Sequence, residues 1–250
     1  MMPSDRMALV TGAAARIGAV IAESLHQRGC SVLVHCNSNR EGAEKLASRL
    51  NEIRPGSAFV VSADLSSSSG VDSLLEQTLQ RCKSLDVLVN NASRFYPTVV
   101  GETLLYQWDD LINSNLRGPY FLCQGLLAPL KAARGSIVNI VDVHSERPMP
   151  GHAAYCISKA GLAMMTMALA RELGPAVRVN GVSPGAILWP ERGQEFSGPG
   201  SEAEEILKRT ALGRLGEPSD IASAVSYLAF DAPYVTGHII AVDGGRSLNI

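Results

Sequence analysis

The sequence predicts a single doubly wound α/β domain with a seven-stranded parallel sheet flanked by helices, and three observations predict it. Seven short apolar runs alternate with amphipathic segments; a glycine-rich turn, TGAAARIG, follows directly on the first run; and no Pro-, Gly- or Ser-rich linker divides residues 1–250. Composition narrows the class further. With 46% hydrophobic and 18% charged residues the chain can fill a large core, and a formal charge of -2 gives no basic field for nucleic acid, so small molecules are the expected partners. Five cysteines without a C-x-x-C point to reduced thiols in the cytoplasm rather than to a disulfide framework or a metal site. No removable signal is expected, since Asp5 and Arg6 lead straight into the first strand. The longest strongly apolar helical run, Gly161 to Ala170, is too short to span a bilayer.

Met7 to Thr11 reads as the first strand and Ile17 to Gln27 as the first helix, stopped at Gly29. Between them, Gly12 and Gly18 let backbone approach a phosphate at the helix N-terminus, where unpaired N–H groups favour anions. Arg16 stands where a third glycine is expected. Cys30 to Cys36 is the second strand and ends in HCNSNR. No acid occurs there to bind a ribose 2'-hydroxyl, and His35, Asn37, Ser38 and Arg40, with Arg16, suit the 2'-phosphate of NADP instead.

A helix over 40–54, a strand from Ala58 to Ala63 and a helix over 71–83 continue the alternation. Asp64, followed by Leu65, either binds adenine or caps a turn. Asp86 to Asn90 is the fourth strand, leading into NNASRFYPT, where Asn91, Ala92 and Ser93 are small enough for a cofactor to pass closely. Phe95 and Tyr96 follow, either stacking on a flat ligand or packing. Trp108 to Lys131 reads as one long helix containing Pro119. Proline cannot donate to the carbonyl four residues earlier, so the Asn115 acceptor is expected to hold a water leading to Lys159, or the helix simply kinks.

Gly135 to Asp142 is the fifth strand, with Asp142 at its C-terminal edge, where open α/β sheets hold ligands. His152 to Gly174 is a helix in which Tyr155 and Lys159, four apart, leave the same face. A free tyrosine titrates near ~10, and an ammonium one turn away favours the phenolate, so Tyr155 is expected to exchange a proton near neutral pH as a general acid. The later part of that helix, GLAMMTMALA, is apolar nearly all round and is expected to meet a partner subunit as well as the sheet. Val177 to Val182 is the sixth strand. A Gly-, Glu- and Pro-rich stretch over 190–201 is the expected lid over a substrate, within a lid region taken as 190–210. A helix from Pro218 to Phe230 and a strand from His238 to Val242 close the chain.

Taken together, TGAAARIG, the NNA at 90–92, Asn115, Tyr-x-x-x-Lys at 155–159 and the S-P-G at 183–185 resemble the short-chain dehydrogenase/reductase family, whose fold is of Rossmann type, over nearly the whole chain. Within it, Arg16, NNASRFYPT, the aspartate thirteen residues before the tyrosine, and VDGGRSL look like the pteridine reductases. Ordinary members usually carry a serine where Asp142 stands. The resemblance implies an NADPH-dependent reductase of oxidised or dihydro pterins, and of folates as related substrates; the apolar circumference of the helix after Lys159 predicts a homo-oligomer, most simply a homotetramer. It implies a catalytic set of Asn115, Asp142, Tyr155 and Lys159. Ile17, Asp64, Leu65, Asn91, Ala92, Pro184 and Gly185 would line the cofactor, with Lys159 on the nicotinamide ribose. Phe95 would sandwich the pterin, and Arg16 and Ser93 would touch both ligands. Two departures stand out: Ser38 where an arginine is common, and Arg94 where a small residue is common. A carbonyl reductase and a non-catalytic dinucleotide sensor are the rival expectations. The absent serine argues against the first and the intact Asp142, Tyr155 and Lys159 set against the second.

Overall fold

A computed structural model describes residues 6–187 and 202–249 of the chain. The strands β1 (Met7–Val10), β2 (Ser31–Cys36), β3 (Ala58–Ser62), β4 (Val87–Asn90), β5 (Ser136–Ile140), β6 (Arg178–Pro184) and β7 (Ile239–Val242) form one sheet in the order β3-β2-β1-β4-β5-β6-β7. Every pairing is parallel; Leu9, for example, lies opposite Leu33 on one side and Leu88 on the other. Strand order reverses between β1 and β4, so a crevice opens there at the C-terminal ends.

Continuous apolar strands follow from burial on both faces. Ala8 and Val10 point into a core shared with α1 (Arg16–Gln27), α2 (Arg40–Ile53) and α9 (Pro218–Ser226). Met7 and Leu9 point the other way, toward α3 (Ser68–Leu79), α5 (Gly118–Gly125), α6 (Leu127–Ala133) and α7 (Ala153–Leu173). Leu88 is fully buried at the centre. Truncating it to alanine would cost about 2–5 kcal/mol through lost transfer energy and a residual cavity.

Three elements differ from expectation. The long helix over 108–131 is instead α4 (Leu105–Ile112), a π-helical turn (Asn113–Arg117), α5 and α6. In the π turn the Gly118 N–H reaches back to the Asn113 carbonyl, and Pro119 then sits in the first turn of α5, where its missing N–H matters least. The helix over 71–83 begins earlier, because the Ser67 side chain accepts from the Gly70 N–H and caps α3. The last helix gives way at Tyr227–Asp231 to a second π turn. The expected lid over 190–201 lies outside the described residues, and the rest of that region, to Arg209, is helix α8 (Glu202–Arg209).

The 21-residue α7, with an 18-residue window of mean hydropathy 1.3, is long and apolar enough by composition to cross a membrane, although the run within it was expected to be too short. Here it packs on β6 and α4, with 56% of that window buried.

Candidate active site

A cleft of about 540 Å³ occupies the crevice. Its floor begins at the glycine turn between β1 and α1. Gly12 has a φ of 63°, and a Cβ there would lie 2.9 Å from the Ala92 backbone; one at Gly18 would lie 2.2 Å from the Gly12 carbonyl. Two backbone segments therefore meet more closely than any side chain allows. Arg16 adopts a φ of 54°, the left-handed region that the missing third glycine would have occupied at no cost. An arginine in that conformation is strained by about 1 kcal/mol or more, a cost that tends to persist where a side chain has a use. Ala15 provides no side-chain cap to α1, which leaves the first-turn N–H groups for an anion.

His35 corrects one expectation. It lines the cleft but is buried, with Nδ1 accepting from the Gly12 N–H at 3.1 Å and Nε2 donating to the Ala63 carbonyl at 3.1 Å. Burial lowers its pKa to about 4, so the ring is neutral and holds the glycine turn rather than supplying charge to a phosphate. Arg40 also departs: it pairs with Glu44 at 2.7 Å on the surface and does not line the cleft. Asn37 and Ser38 do line it. Asp64 Oδ1 closes a turn by accepting from the Ser66 N–H and hydroxyl, at 3.0 and 2.8 Å, and meets the Arg94 guanidinium at 3.3 Å.

After β4, the Asn91 side chain donates to the Thr11 and Gly12 carbonyls at 2.8 and 3.1 Å. The Thr11 hydroxyl accepts from the N–H groups of Asn91 and Ala92, both at 2.9 Å. This knot fixes the loop carrying Ser93 and Phe95. The Asn115 side chain braces the same loop through both polar groups of the Arg94 backbone, accepting at 2.8 Å and donating at 3.0 Å, and it also donates to the Ser158 hydroxyl at 3.0 Å. Asn115 is thus the one member of the expected set that does not line the cleft.

Asp142, just past β5, uses both oxygens. Oδ1 accepts from the His144 N–H at 2.8 Å, capping a short 3-10 turn, and Oδ2 accepts from the Tyr155 hydroxyl at 2.7 Å. One turn along α7, the buried Lys159 ammonium donates to the Ile140 carbonyl at 2.9 Å and lies 5.8 Å from the Tyr155 ring centroid. An ammonium has three hydrogens, which suits it to further acceptors such as ribose hydroxyls. The phenolate expectation is overturned. Burial, and then the Asp142 carboxylate, push the Tyr155 phenol well above its usual range, while burial brings Lys159 down to about 8 against the pull of Asp142. Tyr155 is held as a protonated donor against a carboxylate.

Every other residue expected to touch cofactor or substrate lies on this cleft, including Ile17, Leu65, Pro184 and Gly185. The donor set and the close backbone approach fit a dinucleotide. Two neighbours were not foreseen. His152 stacks on Phe95, with centroids 4.8 Å apart and planes 9° from parallel, and Tyr155 meets the same ring edge-on at 4.8 Å. Asp110 takes the Arg94 guanidinium on one oxygen and the Tyr96 hydroxyl on the other. Both pairings join distant parts of the chain and leave no local signal.

A family model described as enoyl-(acyl carrier protein) reductase matches residues 12–247. Pteridine reductase 1 of Leishmania tarentolae is 37% identical, covering 98% of this chain and 98% of its own. 3beta-Hydroxysteroid dehydrogenase 1 of Eggerthella lenta is 34% identical over 96% of this chain and 93% of its own. A 3-oxoacyl-acyl-carrier-protein reductase of Staphylococcus aureus is 34% identical over 98% and 99%. Proteins named for different substrates align end to end with this chain at similar identity, so the likeness fixes the lineage and the oxidoreductase chemistry: the chain belongs to the short-chain dehydrogenase/reductase family.

Proposed function

We propose that the protein is a cytoplasmic reductase that uses NADPH to convert oxidised or dihydro pterins to tetrahydropterins, with dihydrofolate as a related, larger substrate. The observation that carries the reading is the 2.7 Å hydrogen bond from the Tyr155 hydroxyl to Asp142, at a position where carbonyl-reducing relatives usually place a serine. Reducing a pterin C=N bond adds hydride at carbon and a proton at nitrogen. NADPH supplies the hydride. Tyr155 delivers the proton; Asp142 orients the phenol and lies where it can contact ring nitrogens, and the phenolate left behind takes its replacement proton from solvent along the path that Lys159 supports. Lys159 holds the nicotinamide ribose and supports the proton path, to which the Asn115 carbonyl contributes an acceptor that Pro119 cannot use.

Arg16, with Asn37 and Ser38, recognises the 2'-phosphate, a task that passes to Arg16 because His35 is neutral and Arg40 is engaged elsewhere. Phe95, more than half exposed beside Tyr155, forms the wall against a flat ring. Five thiols without a disulfide suit the reducing cytoplasm. Exposed apolar side chains on α4 and α5 (Leu105, Trp108, Tyr120, Phe121) and on α7 (Ile157, Met164, Met167) support a homotetramer.

The rival, reduction of a ketone or 3-oxoacyl group, draws on the Staphylococcus aureus relative, which is nearly as similar as the pteridine reductase. Following NADPH absorbance with dihydrobiopterin, dihydrofolate and ethyl 3-oxobutanoate in parallel separates the two. The pterin reading predicts a kcat/KM for dihydrobiopterin about tenfold or more above that for the ketoester. A preference for the ketoester would overturn it.

A further inference from the structure

Residues 93–97 belong to no strand or helix and lead to a bridge between Thr98 and His152, and exposure alternates along them: Ser93, Phe95 and Pro97 are exposed, whereas Arg94 and Tyr96 are half-buried and Thr98 is buried. That period of two gives the segment a more exposed side, from which Ser93 and Phe95 line the cleft, and an inner side, whose Arg94 also reaches the cleft wall. The inward face is tied down at each residue. Arg94 donates to Asp110 Oδ1 and Asp64; Tyr96 donates to Asp110 Oδ2 at 2.9 Å, with the Gln107 carbonyl at 3.0 Å. Thr98 Oγ1 accepts from the Ala154 N–H at 3.2 Å, in the first turn of α7.

We propose that Asp110 and Arg94 are positioning residues that fix the plane of Phe95 and so set the affinity for the flat part of the substrate. One carboxylate on α4 takes both inward side chains that flank Phe95, one on each oxygen. With its neighbours on either side held, Phe95 has little backbone freedom. The ring then stands between His152, stacked on it, and Tyr155, edge-on. A wall held in this way loses less conformational freedom when a ligand docks against it, so its benefit appears in binding rather than in the chemical step. Asp110 is mostly buried, and its two bonds are charge-assisted, which makes them the firmest of the set. Arg94 stands where the wider family prefers a small residue, so the tie on its side is a property of this chain.

This extends the pterin reading and rests on it for the choice of substrate. The test is a double-mutant cycle on dihydrobiopterin reduction with Asp110→Asn, Phe95→Ala and the double variant, alongside NADPH affinity and thermal melts. Asp110→Asn is expected to raise the pterin KM about tenfold while kcat and NADPH affinity stay within about threefold, since Asp142, Tyr155 and Lys159 are untouched. In the Phe95→Ala background the same substitution should change KM by less than about twofold, because Asp110 acts through that ring. Arg94→Met should reproduce the single effect. A merely structural Asp110 would raise KM equally in both backgrounds, and that result, or an unchanged KM in Asp110→Asn, would overturn the proposal. If Phe95→Ala itself leaves the pterin KM unchanged, or the wild type does not reduce dihydrobiopterin, the pterin reading and this extension fall together. If Phe95→Ala raises KM and Asp110→Asn does not, only the extension falls.

Discussion

Acidification should weaken this protein through His35 in a way that a single substitution can isolate. The ring is neutral, enclosed, and hydrogen-bonded on both nitrogens, and burial brings its pKa from 6.5 to about 4. A depressed folded-state pKa means that, between those values, the unfolded chain binds the proton and the folded chain does not. The stabilisation is therefore complete above pH 6.5 and is lost as the pH falls toward 4. The gap corresponds to about 3 kcal/mol in full, of which about 2 kcal/mol is already gone at pH 5. Protonated Nδ1 can no longer accept from the Gly12 N–H, so the loss begins at the glycine turn. The perturbation is His35→Asn, which keeps an acceptor near Gly12 and removes the titration. Urea unfolding at pH 7.5, 6 and 5 should show the wild type losing about 2 kcal/mol more than the variant over that range. His26, also lowered by burial, titrates in both proteins and cancels in the comparison. Parallel curves of stability against pH would refute the assignment of His35 as a buried neutral tether.

Other outcomes follow from the same geometry. NADPH should be preferred to NADH by about tenfold or more in kcat/KM, about 1.4 kcal/mol for a charge-assisted phosphate contact, and Arg16→Ala should erase most of that margin; equal efficiency with both cofactors would contradict it. Light scattering at micromolar concentration should give a mass about four times the 26.5 kDa monomer, and a monomer mass would remove the oligomer proposal. Lys159→Met should lower turnover by roughly 10² or more while the fold, read by circular dichroism, persists; near wild-type turnover would take Lys159 out of the reaction.

What the sequence discloses depends on whether the cause is local. Strands buried on both faces are continuous apolar runs, and parallel crossovers leave few ways to order them, so sheet and crevice were legible from Met7 to Val242. Tyr155 and Lys159 were legible because helical spacing alone puts them on one face. Pro119 signalled a disruption of the helix over 108–131, but not its form, because the π turn at Asn113–Arg117 is a choice of backbone hydrogen bond without a side-chain signature. The cap at Ser67 was present in the run Ser66 to Ser69 and simply outweighed by the apolar period that begins at Val71. The state of Tyr155 was misread because pairing with Lys159 is local, whereas Asp142 and burial, which dominate, arise only in the folded chain. His35 looked like a polar loop residue; its role is set by Gly12 and Ala63, which β1 and β3 bring to either side of it. Asp110 and His152 have no meaning until the loop after β4 lies across α4 and α7.

The central claim is that Asp142 takes part in the reaction through Tyr155, and replacing it tests that claim most directly. Asp142→Ser restores the usual residue of the wider family, and Asp142→Asn keeps the shape while removing the acid. Both should lower turnover of dihydrobiopterin by roughly 10² or more with NADPH affinity retained, the scale of a lost proton-transfer group. Asp142 also accepts from the His144 N–H, so a purely capping role would leave Asp142→Asn with a small loss of melting temperature and turnover near wild type. Near wild-type pterin reduction by Asp142→Asn, or a gain in ketoester reduction by Asp142→Ser without loss of pterin turnover, would contradict the account.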